Sequence, residues 1–455
     1  MTTFPDPFLW GVATSAYQIE GAVDADGRGR SIWDTFVRKP GAILHGDTGD
    51  IAADHYHRLD DDLDLLAELG VKAYRFSIGW PRVQPDGAGK LNPRGIDFYR
   101  RLLEGLAERG VEPMVTLFHW DLPQALDDRG GWLARDTASR FADYCALVLG
   151  ELGDLARRWI TLNEPWCSAF LGYYEGRFAP GHRDYLEACT AVHHLLLAHG
   201  LAVEAIRAVA PLVEVGLTCN HADIVPASSD DERAANAADM EENRLFLEPV
   251  FLGAYPADAP ARFRDEELVR DGDLALIAAR LDFFGVNYYV REVVAADPAE
   301  PHRGWRRVPA TGDVTSKGDG IAPDGLTSVL ERIARDYAPK LPLYVTESGA
   351  PFNDYAAPDG RVNDPERIEY LAQHLRAARA AIDAGVDLRG YFVWSLLDNF
   401  EWDSGYAMRF GLVYVEYASQ RRIPKASAHW YREVIRANRL PESAPGALAA
   451  VRKSA

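Results

Sequence analysis

Residues 56–78 read YHRLDDDLDLLAELGVKAYRFSI. Leu59, Leu63, Leu66 and Leu69 recur at helical spacing and Gly70 stops the pattern, which predicts a helix over 56–69. The run that follows at once, VKAYRFSI, is short and strand-like. The same unit returns further along: Ile96–Arg109, then Gly110, then Val111–Phe118. Further copies are Thr137–Leu152 before RRWITL, Tyr185–Val209 before LVEVGLT, and a helix ending near Arg280 before LDFFGV. Leu326–Tyr337 before LPLYVT and Pro365–Ala384 before LRGYFVW complete the series. With FLWGVA at 8–13, about eight strands alternate with helices.

Short buried strands alternating with helices predict a parallel sheet covered by helices, and eight units favour closure into a (β/α)8 barrel. At about 150 residues per domain, 455 residues would suggest three domains. No Pro/Gly/Ser-rich linker divides the chain, so the expectation is one barrel over 1–440 with long βα loops and a tail at 441–455. Asp223–Phe251 and Ala295–Gly325 are expected on loops or on helices within them.

The chain carries 49 Lys and Arg against 68 Asp and Glu, a formal charge of −19, which disfavours nucleic acid as a partner. Apolar runs are interrupted by charged residues or His before they reach about 18 residues, so no membrane span is expected. Cys145, Cys167, Cys189 and Cys219 lie 22, 22 and 30 residues apart, a spacing of neither a zinc ribbon nor a dense disulfide framework. Together with an N-terminus lacking a basic, then apolar, leader, this makes a reducing cytoplasm the expected location. The excess lies in aromatics: 11 Trp, 20 Tyr and 18 Phe.

In such a barrel the loops after the strands converge on one face, where the chemistry sits. The strand ends carry Gln18, Arg75, His119, Trp120, Asn163, Glu164, Asn287, Tyr289, Glu347 and Trp394, few of which suit a dry core. Glu164 and Glu347 are 183 residues apart, yet a barrel aims both into one cavity. A lone Glu at a strand end is as readily a structural carboxylate paired with Arg. Two together supply what glycosidic cleavage needs, a proton donor for the leaving oxygen and a carboxylate for the anomeric carbon. Amides, imidazole and carboxylate can bind sugar hydroxyls, and indole faces the C–H bonds of a pyranose.

Other chemistries are less well served. No phosphate-binding GxxxxGK[ST] loop or dinucleotide GxGxxG turn occurs where a strand enters a helix. In DHYHRLDDD, at 54–62, Asp60, Asp61, Asp62 and Asp64 are expected on a largely solvated helix face, where acids near the N-terminus are favoured without a metal. Cys167, close to Glu164, is expected to be pocket wall rather than nucleophile. No metal and no organic cofactor is called for.

The motifs resemble glycoside hydrolase family 1, the retaining β-glucosidases and their relatives, over nearly the whole chain. They run from FLWGVATSAYQIEG (8–21) through SIWDTF, YRFSIGWPRV, TLFHWDLPQAL, WITLNEPW, GVNYY and LYVTESG to WSLLDNFEWDSGYAMRFGLVYV (394–415). The resemblance implies a (β/α)8 barrel with Glu164 as acid/base after the fourth strand and Glu347 as nucleophile after the seventh. It implies a glycone-binding set of Gln18, His119, Trp120, Asn163, Trp394, Glu401 and Trp402. Arg75 and Tyr289 would hold Glu347 ionised and oriented, lowering its pKa, with Asn287 in support. The implied activity is exo-hydrolysis of terminal β-D-glucosyl groups from short β-glucans and aryl or alkyl glucosides. β-Galactosidase and β-fucosidase side activities are included in that expectation.

Three positions depart from the family pattern. Ser348 stands for the usual Asn after the nucleophile, Asp319 falls near a Trp that lines the aglycone side, and Asp403 replaces a small residue. Glu401 and Phe410 argue against the 6-phosphoglycoside branch, since a carboxylate repels a phosphate and Phe cannot donate to one. Glu164 excludes the thioglucosidase branch, which carries Gln there. The expected partner is a small β-glycoside; oligomeric state stays open.

Overall fold

The computed structural model describes residues 3–441. Eight parallel strands close into a barrel: β1 (Leu9–Ala13), β2 (Ala73–Ser77), β3 (Glu112–Phe118), β4 (Arg158–Asn163), β5 (Glu214–Asn220), β6 (Phe283–Asn287), β7 (Leu343–Ser348) and β8 (Leu388–Trp394). All eight coincide with the strand-like runs of the sequence. Ring order follows chain order, with β1 pairing β8 through Leu9–Gly390 to Ala13–Trp394.

The helix expected over 56–69 spans Leu59–Leu69. Its four periodic leucines are buried, and Gly70 ends it at φ +68°, a left-handed conformation that favours glycine. Gly110, at φ +66°, follows the helix Pro93–Glu108 in the same way. The helix expected to end near Arg280 is shorter: only Asp273–Ile277 is helical. Asp62 is also not solvated. It is buried and accepts from both Arg422 nitrogens at 2.9 Å, with His55 Nδ1 at 2.8 Å, so a tertiary partner overrides the helix-surface expectation.

Ala13, Ala73, Met114, Ile160, Phe283, Tyr344 and Phe392 fill the barrel interior, making it a packed core rather than a pore. Trp394 and Phe410 belong to the same cluster. The longest helix, Tyr185–Val209, is long and apolar enough to cross a membrane, but 78% of its most apolar window is buried inside the protein. The helix Ala426–Ala437 packs on Leu59–Leu69 and Pro365–Asp383. Of the expected tail, all but Pro441 lies outside the described residues.

The expected insertions carry more order than loops. Asp223–Pro226, Arg291–Ala296 and Trp305–Arg307 form a separate three-stranded sheet. Val294 and Trp305 pack from it onto Ala234, Ala235 and Ala238 of the helix Glu232–Asp239, a small apolar cluster of its own. These strands are too short to announce themselves by periodicity, and they pair only across 65 or more residues of chain.

Candidate active site

A cavity of about 490 Å³ opens at the C-terminal ends of the barrel strands, as the fold class requires. Glu164, directly after β4, and Glu347, in β7, both line it. Their surroundings differ. Glu347 Oε1 accepts from Arg75 Nη1 and its Oε2 accepts from the Tyr289 hydroxyl at 2.6 Å. Glu164 has neutral donors: Asn287 Nδ2 to Oε1 at 2.7 Å and the Cys167 thiol to Oε2 at 3.4 Å. Asn287 reaches Glu347 as well, so one amide spans both carboxylates.

Burial together with the charge of Glu347 pushes Glu164 up to about 8. The expectation that Arg75 and Tyr289 hold Glu347 below the ordinary carboxylate range needs correction. Burial is the larger effect and raises it; Arg75 and then Tyr289 offset part of that rise. The pair therefore divides its proton unevenly, with Glu164 the member that keeps it.

A polar network fixes the two acids. Arg75, 1% exposed, also donates to Asn163 Oδ1 at 2.6 Å and to Thr116 Oγ1 at 3.2 Å. Asn287 donates to Asn163 Oδ1 at 3.1 Å and accepts from Thr346 at 2.8 Å. The Trp120 indole donates to the Asn163 carbonyl at 2.9 Å. Asn163 Nδ2 lies 3.1 Å from His119 Nε2. Burial and the nearby Arg75 hold His119 well below the usual histidine range, so Nε2 accepts that bond and Nδ1–H remains without a protein partner.

His119, Trp120, Asn287, Tyr289, Trp394, Glu401, Trp402 and Phe410 all line the cavity with the two acids. Gln18, Asn163 and Arg75 do not; they stand behind its wall. Gln18 Nε2 donates to Glu401 Oε2 at 3.2 Å and to the Phe400 carbonyl at 3.0 Å, and Ser15 donates to Gln18 Oε1 at 2.6 Å. Burial lifts Glu401 to about 7. The His119 ring lies near-parallel to both Trp394 and Trp402, at centroid distances of 5.8 and 6.1 Å. Trp120, Glu164 and Trp402 have φ of +76°, +46° and +47°, a strained region for such residues that here turns the chain at the cavity.

The departures find their places. Asp403 accepts from Arg177 at 3.0 and 3.2 Å, tying two loops together beside the cavity, which Arg177 lines. Asp319 lines the cavity, as does Lys317. Ser348 is buried next to Tyr370 and Tyr391, on the opposite side of β7 from Glu347. Cys167 lines the cavity, and burial raises its thiol well above the usual range, the reverse of an activated nucleophile. All four cysteines are free and buried.

The strand-end reading left out several wall residues: Trp166, Asn220, His221, Glu242, Glu292 and Arg307. Asn220 ends β5 and the same strand-end rule would have found it. Glu292 and Arg307 come from the separate three-stranded sheet and carry no local signal.

The family model for glycosyl hydrolase family 1 matches residues 1–440. The chain is 50% identical to the thermostable β-glucosidase B of Thermobispora bispora, covering 96% of this chain and 92% of that one. It is 46% identical to a bifunctional β-D-glucosidase/β-D-fucosidase of Bifidobacterium breve, over 95% and 98% of the two chains. The crystal structure of a family 1 β-glucosidase from Thermotoga maritima superposes with a TM-score of 0.94 at 45% identity, covering 97% of this chain and all of that one.

Proposed function

Because the chain belongs to glycosyl hydrolase family 1, we propose that it is a retaining exo-β-glucosidase acting on terminal β-D-glucosyl groups of short β-glucans and simple β-glucosides. The observation that carries this reading is the unequal pair: Glu347 between a guanidinium and a phenol, Glu164 between an amide and a thiol. Glu347 attacks the anomeric carbon while Glu164 protonates the departing oxygen, leaving a glycosyl ester on Glu347. Esterification removes the charge that had been raising Glu164, so its proton becomes easier to lose. Glu164 then takes a proton from water, the water attacks the anomeric carbon, and Glu347 leaves as a carboxylate. That one amide reaches both acids supports the spacing of about 5 Å that double displacement uses, against about 6.5–9.5 Å for inversion.

On this reading Glu401, steadied by Gln18, accepts from sugar hydroxyls, His119 donates through Nδ1–H, and Trp394 and Trp402 form the apolar wall. Glu401 and Phe410 disfavour a phosphorylated sugar. The dual name of the Bifidobacterium relative supports a β-fucosyl side activity. The four free thiols support a reducing compartment such as the cytoplasm.

Proton NMR of the first turnovers tests the stereochemistry. β-Glucose is expected to form first and mutarotate afterwards; α-glucose as first product would rule the mechanism out. A second test is pH. Glu164 donates only while protonated, so kcat/KM is expected to fall about tenfold per pH unit above about 8, and to fall at low pH as Glu347 takes up a proton. An alkaline limb that persists unchanged in Glu164→Gln would assign it to another group.

A further inference from the structure

We infer that the wall of the cavity beneath β4 and β5 is a second sugar subsite, which selects a polyhydroxylated leaving group over a plain alkyl or aryl one; the inference rests on the β-glucosidase reading above. Ring order places this wall. β4 and β5 lie across the barrel from β8 and β1, which carry Trp394 and lead to Gln18 and Glu401. If the glucosyl unit is held on the β8 and β1 side, its leaving group points toward β4 and β5, where Glu164 stands to protonate it.

That wall is polar and unsatisfied. Trp166, 6% exposed, lines the cavity with an indole N–H that finds no protein acceptor. His221, 3% exposed, donates through Nδ1 to Asn243 at 3.0 Å, and burial brings it down to about 4. Its Nε2 is thus a free lone pair on the same wall, joined by Asn220 Oδ1. Buried donors and acceptors without partners are costly unless a ligand completes them. An alkyl or nitrophenyl group cannot complete such a mixed set, whereas sugar hydroxyls both donate and accept.

The separate three-stranded sheet closes the wall with charge. Arg307 pairs with Glu242 and, at 2.8 Å, with Glu292, and all three line the cavity. Burial and neighbouring acids lift Glu242 to about 8, so this carboxyl both donates and accepts near neutral pH. The guanidinium also sits 5.7 Å from the centroid of the Trp166 ring, fixing the indole. The result is a rigid, hydrophilic surface rather than an apolar platform.

Cellobiose and methyl β-D-glucoside test this directly. Both have alkoxide-type leaving groups that need the Glu164 proton, so the ratio of their kcat/KM values isolates contacts to the second sugar. Glu292→Leu replaces charge by an apolar surface while Arg307 keeps Glu242; Trp166→Phe keeps a ring and removes the N–H. A fall of about tenfold in the ratio in either variant, the worth of a hydrogen bond to a charged or buried group, is the expected result. A ratio within about twofold of the unaltered enzyme in both overturns the subsite. Failure of the unaltered enzyme to cleave either glucoside, or 4-nitrophenyl β-D-glucoside, overturns the glucosidase reading itself and this inference with it.

Discussion

Glu347→Gly is expected to lower turnover of an aryl β-glucoside by a factor on the order of 10^5 to 10^6, the scale seen when a covalent nucleophile is deleted. Azide is expected to restore turnover and to yield the α-glycosyl azide. The reason is geometric. Glycine opens a space where the carboxylate stood, against Arg75 and Tyr289, whose donors then face a small anion instead of Glu347. Azide in that space attacks from the face opposite the leaving group, and no second displacement follows. The substitution also leaves Arg75 as an unpaired cation at 1% exposure, with a stability cost of about 3–5 kcal/mol. Restored activity separates lost chemistry from lost folding, since an unfolded protein is not rescued. A β-glycosyl azide, or full activity without azide, would remove Glu347 from the nucleophile's role.

Glu164→Gln has the next largest expected effect, and its signature is a dependence on the leaving group. For methyl β-D-glucoside or cellobiose, kcat/KM is expected to drop by about 10^2 to 10^4, the usual contribution of a positioned acid. For 2,4-dinitrophenyl β-D-glucoside the drop in kcat/KM is expected to be small, because that phenolate departs without a proton. Deglycosylation still needs a base, so kcat on the activated substrate should fall while kcat/KM holds, and the glycosyl-enzyme should accumulate. Mass spectrometry of the quenched enzyme would detect the ester. Equal losses on both substrates would mean that Glu164 binds sugar and does not move a proton. Gln keeps the Asn287 contact possible, so the scaffold around the site is retained.

Much of the barrel could be read from one repeated local event: a periodic helix, a glycine able to adopt positive φ, and a short buried strand. Leu59, Leu63, Leu66, Leu69 and Gly70 behave as their spacing predicts because helix periodicity and the αL cap are local properties. The failures are non-local. Asp62 left the solvated face because Arg422, 360 residues away, takes its carboxylate. The helix before β6 shrank to Asp273–Ile277, and three short strands formed where loops were expected, because pairing across distant segments decides such elements.

The candidate site divides in the same way. The sequence by itself determined that Glu164 and Glu347 would meet, since each directly follows or ends a barrel strand and closure of the barrel leaves them no other face. It also supplied most of the aromatic lining, including Trp120, Trp394 and Trp402. Only the tertiary structure decided what each acid feels. Burial raises Glu347 despite Arg75, because removing a carboxylate from water outweighs one ion pair and two neutral donors. Gln18 stands behind Glu401, and Asp403 locks to Arg177; neither follows from residue type. The wall of Trp166, His221, Glu242, Glu292 and Arg307 was invisible for the same physical reason. Its members are assembled from separate elements by packing, and an unsatisfied N–H or lone pair exists only once burial has taken its water away.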